Sequence, residues 1–593
     1  MSGGMLLVLL LALLAAAAAK DAGILYEVWH THAAQAMARQ SPQLTTELVI
    51  ESAGTLTLDD VYAVGPASDI FNVQPELGFY CLYRARPGQA APLPDCPNIT
   101  RTATAHAAML LGAGLDYVTV DVTNWPLADV GGSTDVAVLR PTEVLFEEWA
   151  ALRAQGTPTP AISVWPCSPA NSTTWQYLLS TLYNNASYDS LVWRLGGKKA
   201  VFVPYTPSCY HAPTVQLIES NGGRNDVVVV PMWALFGDGG GGAWQQGVWG
   251  FFSPCVDAQG DFTTSIVGAP TPCSQYPTYA NGTAPPGAAP IEVSASGGYM
   301  LSQCALPFAS PGHLRGLTLA RLFERVLAAP PPHLFLSSFN EHIGGRQAPA
   351  SPARIAGNMG LPGDPQRAAV WVDTYAAEFS RDIEPSVEGG GKTWRVAASC
   401  IAMYQQGADC SQPGQAAQLC CSRQDKEVFA NAWSLAAVGG SDWLVTALAS
   451  ERAALVAGGG WVEQCSPIAN PTVFCVNGSE RDGSAGPFLL YSAPNVTHPR
   501  EDGTPFPTAP LYRCFSASAS LHFVSRQADC EGLAGAGSAE SVLGHVALQP
   551  GWEMLRALRR CLAEQGGQAR KHSLDLPCVV PDPTSTGILG YVR

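Results

Sequence analysis

Across the first 395 residues, short apolar runs alternate with longer stretches in which apolar residues return every three or four positions. The runs predict strands at Ile24, Tyr117, Ala161, Val201, Val227, Ile291 and Leu334. Helical spacing marks Thr102 to Gly114, Pro141 to Gln155, Trp175 to Tyr183, Thr214 to Ser220 and His313 to Ala329. In the second of these, Val144, Leu145, Trp149 and Leu152 share one face. Glu47 to Ser52 and Gly78 to Arg84 are also strand-like. Helix-then-strand units with near-continuous Val, Ile and Phe runs predict an α/β chain with a parallel sheet covered by helices. An open doubly wound sheet competes with a (β/α)8 TIM-like barrel. The barrel is preferred because no G-x-G-x-x-G follows the first strand, and because polar or aromatic residues end at least five strands instead of gathering at one switch point. One of the eight barrel strands is not located. Gly237 to Gly242 lacks the Walker lysine and reads as a loop.

The strand ends carry the candidate chemistry. Pro330 to Gly345 brings an apolar block, His333 to Phe339, to an abrupt polar end at Asn340, Glu341 and His342. That is where a barrel presents its active groups, although a buried strand with a capped turn reads the same way. Asp121 ends the Tyr117 strand, and its plain alternative is to orient backbone or the amide of Asn124. Glu27 lies three residues before His30, so alternation lets it face outward or the core as readily as a cleft. Trp29, Trp125, Trp165 and Trp233 fall at or just past strand ends. Each alone reads as core, but together they would line a mouth where sugar rings stack, with His30, Asn124, Asn340 and His342 as polar contacts. His30, His32 and His342 are the histidines open to a metal, but His30 and His32 on one strand lack a clear carboxylate or Cys partner at ligand spacing, so neither metal nor cofactor is expected. There is no G-x-S-x-G, and Ser337 and Ser338 have no evident base.

Composition narrows the partner. A net charge of −15 with no basic cluster argues against nucleic acid and anionic membrane surfaces. Only 14% of residues are charged, beside 15 Trp and 18 Tyr, which suits polar but uncharged sugars. Met5 to Ala19 is an apolar run ending in small residues and reads as a signal peptide over residues 1–19, with an uncleaved anchor as the alternative. Seventeen Cys and six Asn-X-Ser/Thr sequons agree with an exported, disulfide-bonded glycoprotein. After residues 20–395, the segment 396–593 holds ten of the Cys, short apolar runs and an imperfect repeat, and reads as a disulfide-rich, mainly β region. Ser441 to Thr446 with Glu451 to Trp461 is matched there by Ser520 to Ser525 with Cys530 to Gly532 and Val542 to Val546; Ile588 to Val592 echoes the last of these.

Four blocks carry a family resemblance: Asp116 to Asn124, Pro231 to Trp233, Ser337 to His342, and Val372 to Tyr375 with Glu378 to Pro385. They resemble conserved blocks of secreted barrel proteins related to the family 71 and family 99 glycoside hydrolases. In those relatives the strand-end block usually reads Trp-Asn-Glu-Trp; here Phe339 and His342 replace both aromatics, while Asn340 and Glu341 are kept. The resemblance covers roughly residues 21 to 390. It implies a (β/α)8 barrel acting on a polysaccharide or glycan, with Glu341 as acid/base and Asp121 as the second carboxylate. The tail is similar to short Tyr-Arg…His-Phe-Val-Ser…Glu-Gly…Leu-Gly-Tyr repeats of extracellular proteins, which imply no activity. The expectation is a secreted glycoside hydrolase. Its rival is a non-catalytic glycan-binding or matrix protein on the same barrel, in which Glu341 would be buried against Arg or backbone with no carboxyl across the cleft, whereas two carboxyl groups facing one cleft favour the enzyme.

Overall fold

The structure, a computed structural model, describes residues 20–28, 30, 75–78, 80–88, 95–122, 138–167, 173–204, 212–232, 292–295, 313–328, 330, 333–336, 338–342, 381–387, 390–411, 414–421, 429–439, 442–463, 488–494, 496, 507–532, 539–548, 556–562, 570–574 and 588–592. In chain order the first part runs β1 (Asp21–Tyr26), α1 (Ile99–Gly112), β2 (Tyr117–Val122), α2 (Arg140–Ala154), β3 (Ala161–Pro166), α3 (Thr173–Tyr177), β4 (Arg194–Leu195), β5 (Lys198–Pro204), α4 (Ala212–Ser220), β6 (Val227–Met232), β7 (Glu292–Ala295), α5 (Leu317–Ala328), β8 (His333–Leu336), α6 (Lys392–Gln406) and α7 (Gln415–Cys420). All seven expected strands are present. Gly78 to Arg84 departs from expectation: residues 80–86 form no strand, because the Cys81–Cys96 disulfide and a bond from the Cys96 amide to the Tyr83 carbonyl fold this segment back as a loop. Glu47 to Ser52 and Gly237 to Gly242 lie outside the described residues.

Five strands form a parallel sheet in the order β3-β2-β1-β8-β7, and β4-β5-β6 form a second sheet in which β5 and β6 are parallel. Residues 191–193 fill the gap between β3 and β5. Ile162 donates to Leu191 at 2.7 Å, Trp193 donates to Ile162 at 2.9 Å, and Ala200 donates to Trp193 at 3.0 Å. The mixed α/β class therefore stands, with the strands in the sequential order that helix-then-strand units dictate.

Alternation along these strands separates two faces. Ala22, Ile24, Tyr26, Val118, Val120, Val122, Ile162, Val164, Leu334 and Leu336 join one core with α1, α2, α5 and α6. Each buried Val, Ile or Leu among them contributes roughly 1.5–3 kcal/mol. The opposite face begins with an aromatic layer: Tyr117 stacks on Trp193 at 4.0 Å, Trp193 on Phe202 at 5.7 Å, and Phe202 lies 5.8 Å from Phe335. Gly23 is required there, because a Cβ would stand 2.1 Å from the Tyr117 ring. Above it come Leu25, Thr119 and Ser163, and continuing the β1/β2/β3 register one step sets Glu27, Asp121 and Trp165 side by side. The unit α1–β2 is fixed by its turn. Gly114, at φ +85°, donates to Leu111, and Leu115 donates to Leu110 at 3.0 Å. The Asp116 carboxylate then accepts from the Ala22 amide at 2.8 Å, which sets β2 against β1.

The helix α6 straddles the 395/396 boundary expected from composition. Its Val396, Ala397, Cys400, Ile401, Met403 and Tyr404 are buried in the first core, and Cys400–Cys420 and Cys410–Cys421 tie α7 to it. A separate core begins at β9 (Phe429–Ala437) and unites Ala432, Val445, Leu490, Leu511, Val524, Leu543, Val546, Leu558, Leu589 and Val592. It continues through β10 (Trp443–Thr446), α8 (Ala449–Ala457), β11 (Trp461–Glu463), β12 (Phe488–Tyr491), β13 (Thr508–Ser516), β14 (Leu521–Ser525), β15 (Ser541–Ala547), β16 (Arg556–Leu562), β17 (Arg570–Leu574) and β18 (Ile588–Val592). Three successive groups pair alike. In β9/β10/β12, β13/β14/β15 and β16/β17/β18 the first strand lies between the other two, all antiparallel, and the third strands join as β12-β15-β18.

A recurring clamp links these groups. Thr446 donates to Glu451, which accepts from Arg513 of the next group at 2.8 Å. Likewise Ser525 donates to Glu531 at 2.7 Å, and Glu531 takes a two-pronged contact from Arg560 of the following group at 2.9 and 2.6 Å. Arg513 stands opposite Val524 in its hairpin as Ser434 stands opposite Val445 in the first. The first group has no predecessor to clamp, and there the position carries serine. The Cys514–Cys530 disulfide braces the Glu531 turn.

Candidate active site

The site is built where β1, β2 and β8 end. Past β8 the chain stays against β1: Phe339 donates to the Leu25 carbonyl at 2.8 Å, and the Asn340 side chain takes over from backbone pairing. Its Oδ1 accepts from the Glu27 amide at 2.8 Å, while its Nδ2 donates to the Glu27 carbonyl at 3.2 Å and to the Tyr80 hydroxyl at 3.0 Å. The amide of Asn340 is thus committed to holding Glu27 in place, and Asn340 is fully buried. Residues 381–386 close the other side. Ile383 and Glu384 donate to the Phe339 carbonyl, and Pro75 bridges to Ser386.

Four carboxyl groups converge here. Glu341 pairs with the Arg381 guanidinium, and both are buried. Asp382 accepts from the Ser338 hydroxyl and from the Glu341 amide. Asp121 is 6% exposed. Glu27 is wholly buried, and neither of its carboxyl oxygens has a hydrogen-bond partner among the described residues. Burial first, then the nearby Asp121 and Glu341 carboxylates, with Asp382 adding, push the Glu27 carboxyl well above the usual range, and Arg381 opposes them only in part. The surroundings thus favour the protonated form of this carboxyl.

A second buried network adjoins the first. Glu384 accepts from the Tyr80 hydroxyl at 2.7 Å, from His342 Nε2 at 2.9 Å and from His106 Nε2 at 3.1 Å. Burial alone would raise this carboxyl, but the charge and hydrogen bond of His106 and the bond from His342 outweigh it and hold Glu384 far below the usual range. His106 Nδ1 meets the Tyr26 hydroxyl at 2.6 Å. His30 places Nε2 2.9 Å from the Asn340 carbonyl; burial, then the neighbouring His342, pulls it down to about 3, so its ring is neutral.

Of the residues chosen from sequence, Glu341, Asp121, Asn340, His342, His30 and Trp165 meet around this region, Trp165 as a buried neighbour of Asp121 across β2 and β3. Trp29, Asn124, Trp125 and Trp233 lie outside the described residues. Sequence reasoning left out Arg381, Asp382, Glu384, Tyr80 and His106. The first three sit in the Glu378 to Pro385 block, whose alternating charges were the available signal; Tyr80 and His106 gave none. Among the described residues, no group of three or more His, Cys, Asp or Glu is arranged to hold a metal ion.

No protein-family model matches the chain. No curated protein matches it either. Among solved structures, it is similar to the GH99 endo-alpha-mannosidase from Bacteroides thetaiotaomicron, at 12% identity and a TM-score of 0.34, over 65% of this chain and 98% of that one. The same enzyme in complex with bis-tris-propane gives 13% identity and the same TM-score and coverage. A likeness of that extent carries no information on activity. Among the described residues no helix is long and apolar enough to cross a membrane.

Proposed function

We propose that the protein is an exported glycoside hydrolase whose first part closes as a (β/α)8 barrel around an extracellular glycan. The observation that carries this reading is the convergence of Asp121, Glu341 and Asp382 around Glu27, with the Arg381 guanidinium paired to Glu341. Glycosidic cleavage needs one protonated and one ionised carboxyl. Glu341, held by Arg381, supplies the ionised group as base or nucleophile, and the Asp121 side supplies the acid. This reverses the roles that the resemblance implies for Glu341 and Asp121. Trp29, Trp125 and Trp233 would stack on sugar rings at the mouth, with Asn124, His30 and His342 near the polar end of the site. Residues 1–19 direct export, the disulfides fit an oxidising compartment, and residues 429–592 form a three-unit repeat that binds wall or matrix material.

A screen of glycans with the secreted protein tests this. On a glycan that is hydrolysed, Glu341→Gln and Asp121→Asn should each lower kcat by ~10²–10⁴-fold. Hydrolysis unchanged in Glu341→Gln would remove the assignment. The Glu341–Arg381 ion pair also favours a second reading, a non-catalytic glycan-binding protein, in which the pair is a structural tie. That reading requires retained glycan with no cleavage in the wild type.

A further inference from the structure

We propose that Glu27 and Asp121 form a carboxyl dyad that shares one proton, with Glu27 storing it and Asp121 presenting it to the leaving oxygen. The inference rests on the glycosidase reading for its chemical role and on geometry for the dyad itself. Tyr26 pairs with Val120 in the parallel register of β1 and β2, so the next residues, Glu27 and Asp121, stand laterally on the same face. Neighbouring carboxyls at such a position cannot both ionise cheaply, and the proton they keep belongs to the pair.

Environment divides the labour between them. Glu27 is completely buried with both oxygens lacking a described partner, whereas Asp121 keeps 6% of its surface exposed. Asn340 clamps the Glu27 backbone from the β8 side, which fixes its place beside Asp121 in the strand register. The charged groups facing Glu27 are Asp121 from β2, Glu341 from the segment after β8, and Arg381 and Asp382 from the segment beyond it. The single cation among them is already engaged by Glu341. The raised Glu27 carboxyl follows from the same arrangement.

The chemistry balances with water as the only co-reactant. The bond from the anomeric carbon to the leaving oxygen breaks, and that oxygen takes the proton from Asp121, which recovers one from Glu27. Water supplies hydroxyl to the anomeric carbon, and its other proton is captured by the Glu341 carboxylate when attack is direct, or by ionised Asp121 when a Glu341 ester is hydrolysed. From Glu341 that proton returns to the dyad between turnovers. Each cycle consumes one water and no net proton.

Infrared difference spectroscopy of the full-length protein tests the dyad whether or not a glycan is known. Wild type at neutral pH should show a protonated carboxyl band that Glu27→Gln removes. Asp121→Asn should keep the band but make it disappear at lower pH, because the neighbouring charge is gone. No such band in wild type, or a band untouched by both substitutions, overturns the dyad. Where a glycan is hydrolysed, Glu27→Gln should move the alkaline limb of kcat/KM down by about one pH unit with KM little changed. Aryl glycosides with good leaving groups should be spared. An alkaline limb that stays in place, with Glu341→Gln still inactive, would reject the dyad and leave the glycosidase reading intact.

Discussion

Glu531 in the tail and Glu27 at the end of β1 are both carboxyl groups set against β-strands, and their surroundings differ in the supply of donors. Glu531 receives the Ser525 hydroxyl and both prongs of the buried Arg560 guanidinium. Glu451 receives Thr446 and Arg513 in the same pattern. Glu27 receives nothing from any described residue and faces three other carboxyl groups. In the tail, charge is spent joining one strand group to the next. In the sheet, a buried acid stands among other carboxyls with Arg381 compensating only in part, and such groups are where proton chemistry is expected.

Substitutions that remove one partner at a time should expose this difference. The largest loss is expected from Arg560→Met, which strands Glu531 at a buried joint: about 3–5 kcal/mol of tail stability, read from chemical denaturation. Glu384→Gln should behave like the tail despite lying beside the site. It turns a carboxylate with three donors into an amide that must oppose one of them, at about 3 kcal/mol. Because the Glu384 carboxyl is lowered in the folded protein, its contribution is present above the ordinary value of 4.5 and fades as pH falls through the lowered one. The wild type should therefore approach the variant in acid. Arg513→Met should cost about 1 kcal/mol, since Glu451 and Glu540 remain partly in water. If Arg513 and Arg560 cost the same, burial is not what distinguishes the two clamps.

Much of this could be seen along the chain. The seven strands and their order followed from apolar runs separated by helical spacing, because buried parallel strands leave that pattern. Glu341 and Asp121 were visible as polar residues ending such runs. Glu27 was ambiguous, because alternation within one strand fixes a face only relative to its neighbours. The decision came from Gly23: its place opposite Tyr117 puts Leu25 and Glu27 on one face with Thr119 and Asp121. Asn340 looked like a ligand contact, yet its amide is occupied by the Glu27 backbone and Tyr80. Nothing local announces a side chain that substitutes for a strand partner. Arg381 and Glu384 follow β8 by more than forty residues and reach the site through long-range pairing to Phe339, which periodicity does not record. The tail clamp depends on Arg and Glu from different strand groups and emerges only when β13 and β16 are aligned by their hairpin registers.

Whether Glu27 keeps a proton that the unfolded chain would release can be read from the stability of wild type and Glu27→Gln as a function of pH. A raised carboxyl means that from the ordinary value of 4.5 upward the unfolded state loses its proton while the folded state retains it, so wild-type stability falls as pH rises. Glutamine matches the protonated form in shape and charge. The two proteins should therefore be nearly equal at about pH 4.5, and the variant should gain roughly 1.4 kcal/mol over wild type for each further pH unit up to the folded value. A difference that stays constant over that range, or that favours wild type increasingly as pH rises, would contradict the account.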